Sequence, residues 1–311
     1  MFKFYKNRWI SYGISIVIML LGVIMLFVNG VTLDIQFKGG AIIKYSFDGS
    51  LDLTAVENLV EETLDRGVDV QETISNMSGS EDVKTLVLNL AGEEGLSEDD
   101  QIALHDALEE NYPDANFVSA GSSIVKPFIG KRFLSNSIRA IILAAILIML
   151  YVWYSFRKVS GLSAGVMGLI ALIHDVLLVF FTFVVFKIPL NDSFIAAALT
   201  ILGLSINDTI VIYDRVRENK RLYGAKLSTE ELIDKSINQS LSRSINTNLA
   251  TFISIVIVYV FSLIYDIESI QTFALPMVFG SLSGCYSTIF LAGPMWVSWQ
   301  NFKNKPKTAK A

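Results

Sequence analysis

The sequence has almost none of the side chains from which metal centres and redox sites are built. In 311 residues there is one cysteine, Cys285, set in an apolar stretch, and there are two histidines, far apart. A lone cysteine allows no disulfide and no thiolate metal site, and two unrelated histidines do not make a metal centre. No phosphate-cradling glycine loop and no nucleophile constellation occurs, so neither an enzyme nor a cofactor is expected. Charge is also scarce: 18% of residues are charged against 52% hydrophobic, with a mean hydropathy of +0.50. That scarcity is concentrated in long uncharged blocks, which places the chain among membrane proteins.

Six blocks are long enough to cross a bilayer, since roughly 20 apolar residues cover a hydrocarbon core of roughly 30 Å. They run over about 10–28, 140–156, 161–186, 193–213, 245–264 and 270–299. The first has a basic start (Lys3, Lys6, Arg8), but its uncharged run exceeds a signal-peptide core and no small-x-small cleavage pattern follows, so it reads as a retained helix. Lysine and arginine set the orientation. Lys3, Lys6 and Arg8, then Arg157 and Lys158, then Arg215, Arg217, Lys220, Arg221, Lys226 and Lys235, and finally Lys303, Lys305, Lys307 and Lys310 all fall on one side of six spans. Both termini are therefore expected in the cytoplasm. Lys131, Arg132 and Arg139 break the pattern, but a long preceding domain weakens the rule there. The expected organisation is residues 1–30 for the N-terminus and first helix, 31–137 for an extracytoplasmic domain, 138–299 for a five-helix bundle with a basic cytoplasmic loop at 214–242, and 300–311 for a basic tail.

The polar segment 31–137 carries 20 acidic residues against 7 basic ones. LDIQFKGGAIIKYSF alternates around a Gly-Gly pair and reads as a strand or bent strand pair. Leu53, Val56, Val60 and Leu64 recur at helical spacing before Gly67. VDVQETIS and DVKTLVLNL read as strands. SEDDQIALHDALEENYP opens on Ser97 and acids, places Ile102, Leu104 and Leu108 on a helix, and stops at Pro113. ANFVSAGS is a last short strand. The order β-α-β-β-α-β is that of a ferredoxin-like split motif. His105 on the second helix reads as a solvated residue.

Polar groups that ought not to lie in lipid are the remaining signal. The stretch ILGLSINDTIVIYDRVREN, from Ile201, carries Asn207 and Asp208 inside an apolar run. An Asp at the centre of a spanning helix costs about 2.5–3.5 kcal/mol on insertion scales. An intramembrane ionisable group is by default a functional candidate, and Ser205 and Thr209 lie beside this one. Arg243 opens the fifth span in QSLSRSINTNLATFIS, where Ser240, Arg243 or Ser244, Thr247, Thr251 and Ser254 recur at three- and four-residue steps, with Asn246 and Asn248 nearby. By itself Arg243 could be a snorkelling cytoplasmic residue. Taken with Asp208 on the preceding helix, a buried charge pair is the economical expectation. His174 and Asp175 occupy the middle of the third span, where Ala164, Gly168, Ala171 and Asp175 share a face. Asp175 is expected to point into the bundle, either as a structural hydrogen-bond acceptor or as a second proton station. Gly280-x-x-x-Gly284 with Ser287 reads as a packing seam.

SINDTIVIYDRVREN, HDVLLVFF and QSLSRSINTNLATF, in this order and topology, closely resemble the SecF members of the SecD/SecF family, membrane subunits of bacterial protein export. The resemblance covers almost the whole chain. It implies half of a resistance-nodulation-division architecture, with a SecD-like six-helix subunit supplying the other half. It also places Asp208 and Arg243 at family positions tied to proton-coupled work. Two departures stand out: Asp34 and Gln36 replace a glycine and an acid of the family's Gly-Ile-Asp-Phe-x-Gly-Gly run, while Phe37, Gly39 and Gly40 fit, and Val125-Lys126-Pro127 replaces Val-Gly-Pro.

The expected function is thus an auxiliary subunit of the Sec machinery in the bacterial inner membrane, using the proton motive force to drive late steps of polypeptide translocation. The coupling ion would be H⁺ or Na⁺. Asp208, Arg243 and Asp175 would carry the coupling, supported by Ser205, Asn207, Asn246, Thr247 and His174. The implied partners are the SecD-like subunit, the translocon channel with its motor ATPase, the unfolded exported chain and the lipid bilayer, with no nucleic acid. A proton-coupled small-molecule exporter would need larger outer domains, and a non-transporting scaffold would make the intramembrane charges structural.

Overall fold

The computed structural model describes residues 2–34, 37, 40–75, 83–91, 96–125, 127–156, 161–265 and 267–304. Gln36, Lys126, Arg157, Lys158 and the lysines at 305, 307 and 310 lie outside them. Helix α1 (Arg8–Asn29) is followed by β1 (Gly40–Phe47), α2 (Leu53–Leu64), β2 (Val68–Ser75), β3 (Val83–Ala91), α3 (Glu98–Asn111) and β4 (Val118–Val125). The bundle follows with α4 (Pro127–Phe156), α5 (Gly161–Val185), α6 (Asp192–Tyr223), α7 (Thr229–Ile264), α8 (Glu268–Ser287) and α9 (Gly293–Asn304), the last two joined by a π-turn at Thr288–Ala292.

The strands form one antiparallel sheet in the order β2-β3-β1-β4. Each βαβ unit is thereby split: β3 lies between β1 and β2, and β1 lies between β3 and β4. The alternation of β1 buries Ala41, Ile43, Tyr45 and Phe47 against Leu86, Leu88 and Leu90 of β3 and against Val56, Val60, Leu104 and Leu108 of the two helices. Asp52 caps α2 by accepting from the Thr54 and Ala55 amides, and Ser97 with Asp100 forms a capping box on α3. Three details differ from the sequence reading. The strand starts only at Gly40, because Phe37 turns away from the sheet. Ile102 is exposed, since two residues advance a helix by about 200° and set it opposite Leu104. His105 stacks on Tyr45 with ring centroids 5.8 Å apart, and so is not simply solvated. Burial raises the pKa of the Tyr45 phenol above its ordinary value.

Six helices among the described residues are long and apolar enough to span a membrane. Their burial divides them into core and rim. Spans three, four and six (α5, α6 and α8–α9) bury 50%, 50% and 61% of their apolar windows, against 17% for span one (α1) and 6% for spans two and five (α4 and α7). Small residues let the core helices close. A Cβ on Gly280 would fall 2.7 Å from Ile201 Cγ1 and 2.8 Å from Val179 Cγ2, so α5, α6 and α8 meet at that glycine. Gly280→Ala is therefore expected to cost about 1–3 kcal/mol, the usual range for overpacking. Thermal unfolding in detergent checks this, with Gly13→Ala, where nothing lies within 4 Å of the new methyl group, as the unaffected control.

At 32 and 36 residues, α6 and α7 are about 48 and 54 Å long, well beyond a core of roughly 30 Å. The segment 214–242, expected as a basic loop, is mostly a helical hairpin turning at Gly224. Asn219 Nδ2 holds it by donating to Ser236 Oγ (2.9 Å) and Gln239 Oε1 (2.8 Å), and Lys235 Nζ lies 3.6 Å from the Tyr223 ring centroid. The N-terminal segment docks on this hairpin. The Tyr5 amide donates to Asp234 Oδ1 at 2.9 Å, and Asn301 of α9 donates to both the Tyr5 hydroxyl (3.0 Å) and Glu230 (2.9 Å). The N-terminus, the hairpin and the end of span six thus share one end of the bundle. At the other end, residues 32–34 pair with the loop between spans three and four through a parallel bridge, Leu33 to Leu190.

Candidate functional site: buried carboxylates among the core helices

Asp175 sits at the junction of the three core helices with no exposed surface. The expected small face of α5 brings it there: Ala164 and Ala171 are buried, and a Cβ on Gly168 would lie 3.6 Å from Thr209 of α6. Three hydroxyls donate to its carboxylate. Ser205 Oγ of α6 reaches Oδ2 at 2.7 Å, Ser287 Oγ of α8 reaches the same oxygen at 2.6 Å, and Ser283 Oγ of α8 reaches Oδ1 at 2.6 Å. His174 Nδ1 lies 3.2 Å from Oδ1. Hydrogen bonds to a charged group contribute about 1.5–3 kcal/mol each, so three of them offset the roughly 2.5–3.5 kcal/mol cost of placing an Asp in a spanning helix. His174 itself is buried, and its Nε2 has no hydrogen-bond partner among the described residues. The helix leaves α geometry directly after Ser287, and within the π-turn the Tyr213 hydroxyl donates to the Ala292 carbonyl at 3.3 Å. π-turns of this kind are frequent at functional sites.

Asp208 lies three residues beyond Ser205 on α6 and is 4% exposed. Its partner is Asn248 of α7, whose Nδ2 donates to Asp208 Oδ2 and also to the Ser244 carbonyl. The expected Asp208–Arg243 pair does not form within this chain: Arg243 is exposed and makes no ion pair among the described residues. The reason is helical phase. Arg243 and Asn248 are five residues apart and so about 140° apart around α7. The face that meets α6 carries Ser240, Ser244 and Asn248, which turns Arg243, Asn246 and Thr247 outward. Asn207, beside Asp208 in sequence, is likewise exposed on α6.

Of the residues read from sequence as coupling or supporting groups, the fold gathers His174, Asp175, Ser205 and Asp208 inside. It leaves Asn207, Arg243, Asn246 and Thr247 on the outer faces of α6 and α7. Three members were not read as part of the site. In the sequence Asn248 reads only as a polar neighbour of the α7 stripe and Ser287 only as part of a packing seam, and Ser283 has no reading. The signal for the serines was their four-residue spacing, which puts both on one face of a span beside the glycines that let a carboxylate-bearing helix approach.

Comparisons with known proteins agree on one family. A model described as "Protein export membrane protein SecD/SecF, C-terminal" matches residues 103–302. Protein translocase subunit SecF of Rickettsia akari (strain Hartford) is 32% identical over 306 residues, covering 98% of this chain and 94% of its own length. Its counterpart in Sebaldella termitidis is 30% identical over 308 residues, covering 99% and 95%. Among solved structures, SecDF from Thermus thermophilus, a translocon-associated membrane protein, superposes with a TM-score of 0.79 at 26% identity, over 96% of this chain and 39% of that one. SecDF in a super-membrane-facing form gives 0.68 at 26% identity, over 100% and 40%. The present chain spans about two fifths of the SecDF chains it matches.

Proposed function

Because the chain belongs to the SecD/SecF family of protein-export membrane proteins, we propose that it couples the proton gradient to the late steps of polypeptide translocation, together with a SecD partner. It is a multi-pass inner-membrane protein and a non-enzymatic accessory subunit of the translocase. What carries the coupling is the burial of two carboxylates, Asp175 and Asp208, among the core helices, with three hydroxyls and His174 around the first and an amide on the second. Asp175 is held by three hydroxyls from two helices and acts as the fixed station. Among the described residues Asp208 has a single side-chain donor, the Asn248 amide of a rim helix, and acts as the exchanging one. Protonating Asp208 removes the charge that holds Asn248, which lets α7 separate from α6. One charge crossing the field gains about 2.3 kcal/mol per 100 mV. That biases a conformational equilibrium but does not drag a chain in one step, so repeated cycles move the polypeptide.

In this reading the termini and the α6–α7 hairpin lie in the cytoplasm and the acidic sheet domain lies outside. The domain meets the unfolded exported chain as it leaves the translocon channel fed by the motor ATPase. Asn207, Arg243, Asn246 and Thr247 face outward toward the inner ends of the fourth and fifth spans, where an Arg must snorkel or find a partner. The SecD partner covers this face and supplies an acidic group to Arg243, in keeping with sites at the interface of related halves.

Export of a preprotein into inverted membrane vesicles tests the function. Vesicles containing the chain and SecD are expected to export faster under an imposed proton gradient, and vesicles lacking the chain are not. Acceleration by a sodium gradient alone would change the ion, and acceleration by neither would remove the coupling. The interface has its own test. Cysteines at Asn207 and Thr247 are expected to crosslink to SecD, whereas cysteines at Leu147 and Leu150, exposed on α4, are not. Equal crosslinking from both faces would exclude the proposed interface.

A further inference from the structure

We infer that Phe37 is the positioning residue that transmits the state of the Asp175 cluster to the outer sheet domain, an inference that rests on the proposed coupling role. Phe37 lies just ahead of β1, yet it belongs to the membrane bundle. It is 1% exposed and shares an apolar cluster with Val179 and Phe183 of α5, Ala197 and Ile201 of α6, and Met277 of α8. Its ring lies 5.7 Å from that of Phe133, near the start of α4. The chain enters the sheet after Phe37 and leaves it before Phe133, so both roots of the domain meet at this contact. The approach to Phe37 is fixed by backbone hydrogen bonds. The Asp34 amide donates to the Leu190 carbonyl (3.0 Å), the Leu190 amide donates to the Thr32 carbonyl (2.9 Å), and the Phe37 amide donates to the Asp34 carbonyl (2.9 Å).

The placement of this cluster relative to Asp175 is what makes it a transmitter. Val179 is four residues from Asp175 on α5, and Ile201 is four residues from Ser205 on α6. Gly280, which touches both Val179 and Ile201, is three and four residues from Ser283 and Gly284 on α8. On α5 and α6 the Phe37 cluster is thus one turn, about 6 Å, from the carboxylate or its serine donor, and on α8 its member Met277 is six residues, about 9 Å, from Ser283. Close-packed interiors pass on small displacements, because they switch between arrangements and do not deform smoothly. A change in how Asp175 holds Ser205, Ser283 and Ser287 shifts α6 and α8 against α5, and the ring wedged one turn away must follow. Phe37 then moves both roots of the sheet domain together.

The experiment places dyes at Asp106→Cys on α3 and Leu222→Cys on the α6–α7 hairpin, with Cys285→Ser, in the full chain assembled with SecD in proteoliposomes. Energy transfer reports the distance between domain and bundle. Asp175→Asn is expected to shift that distance in the otherwise native chain. Phe37→Ala is expected to abolish the shift, and Phe37→Leu, which refills the site, to retain most of it. A shift that survives Phe37→Ala, or no shift with Asp175→Asn, overturns the inference. Should Phe37→Ala fail to fold, Phe133→Ala, at a ring 44% exposed, decides by the same criterion. Gradient-driven export is measured on the same samples. If export needs Asp208 but no shift occurs, only the role of Phe37 falls. If export under a gradient is indifferent to Asp208, the coupling function itself falls.

Discussion

Asp208→Asn is expected to reduce gradient-driven export to the rate seen without a gradient, while membrane insertion and assembly with SecD stay normal. Asn keeps the size of the side chain and an acceptor oxygen for the Asn248 amide, and it removes the one proton the carboxylate can exchange. The loss should therefore appear in export and not in the amount of complex recovered. Export into inverted vesicles across a series of imposed gradients checks it, and a normal gradient response from Asp208→Asn would exclude Asp208 as the carrier. The same geometry orders the neighbouring variants. Asp208 and Asn248 touch, so the effects of Asp208→Ala and Asn248→Ala on unfolding of the chain without SecD should be coupled by about 0.5–3 kcal/mol. Arg243 touches neither, so Arg243→Ala should add to Asp208→Ala there without coupling. Coupling between Arg243 and Asp208 should emerge only once SecD closes the outer face.

Asp175→Ala is expected to destabilise the bundle by about 2–5 kcal/mol, because it strips the shared acceptor from three buried hydroxyls. The serines recover part of the loss by turning to their own helices; Ser287 Oγ already lies 3.3 Å from the Gly284 carbonyl. Adding Ser283→Ala and Ser287→Ala should then restore stability relative to Asp175→Ala alone. Removing two of the three stranded hydroxyls, with Ser205 left to its own helix, costs less than leaving all three unpaired. Unfolding in mixed micelles measures both steps. A loss below about 1 kcal/mol for Asp175→Ala, or a further loss in the triple variant, would show that this carboxylate does not hold the core helices together. Asp175→Asn separates that structural role from coupling, since the amide keeps one acceptor oxygen but carries no charge.

Length, periodicity and small-residue spacing are local properties, and what depends on them is legible in the sequence. The six spans follow from run length. The β-α-β-β-α-β order follows from alternation in segments such as VDVQETIS and from the helical recurrence of Val56 and Val60 or Leu104 and Leu108. The inward aim of Asp175 follows from Ala164, Gly168 and Ala171 on its own face, because a helix carries that face wherever it goes. The partners of the buried carboxylates depend on something else, the rotation of one helix against another, which no single helix encodes. Asp208 could have met either end of the polar stripe on α7. Packing of α7 along Ser240 and Ser244 chose Asn248 and turned Arg243 away by about 140°. The same closure of α8 on α5 through Gly280 and Gly284 turned Ser283 and Ser287 from packing residues into donors. Phe37 is the extreme case. Its neighbours in sequence read as a strand, yet burying a ring contributes about 1.5–3 kcal/mol, and the apolar slot that receives it exists only once three distant helices have come together.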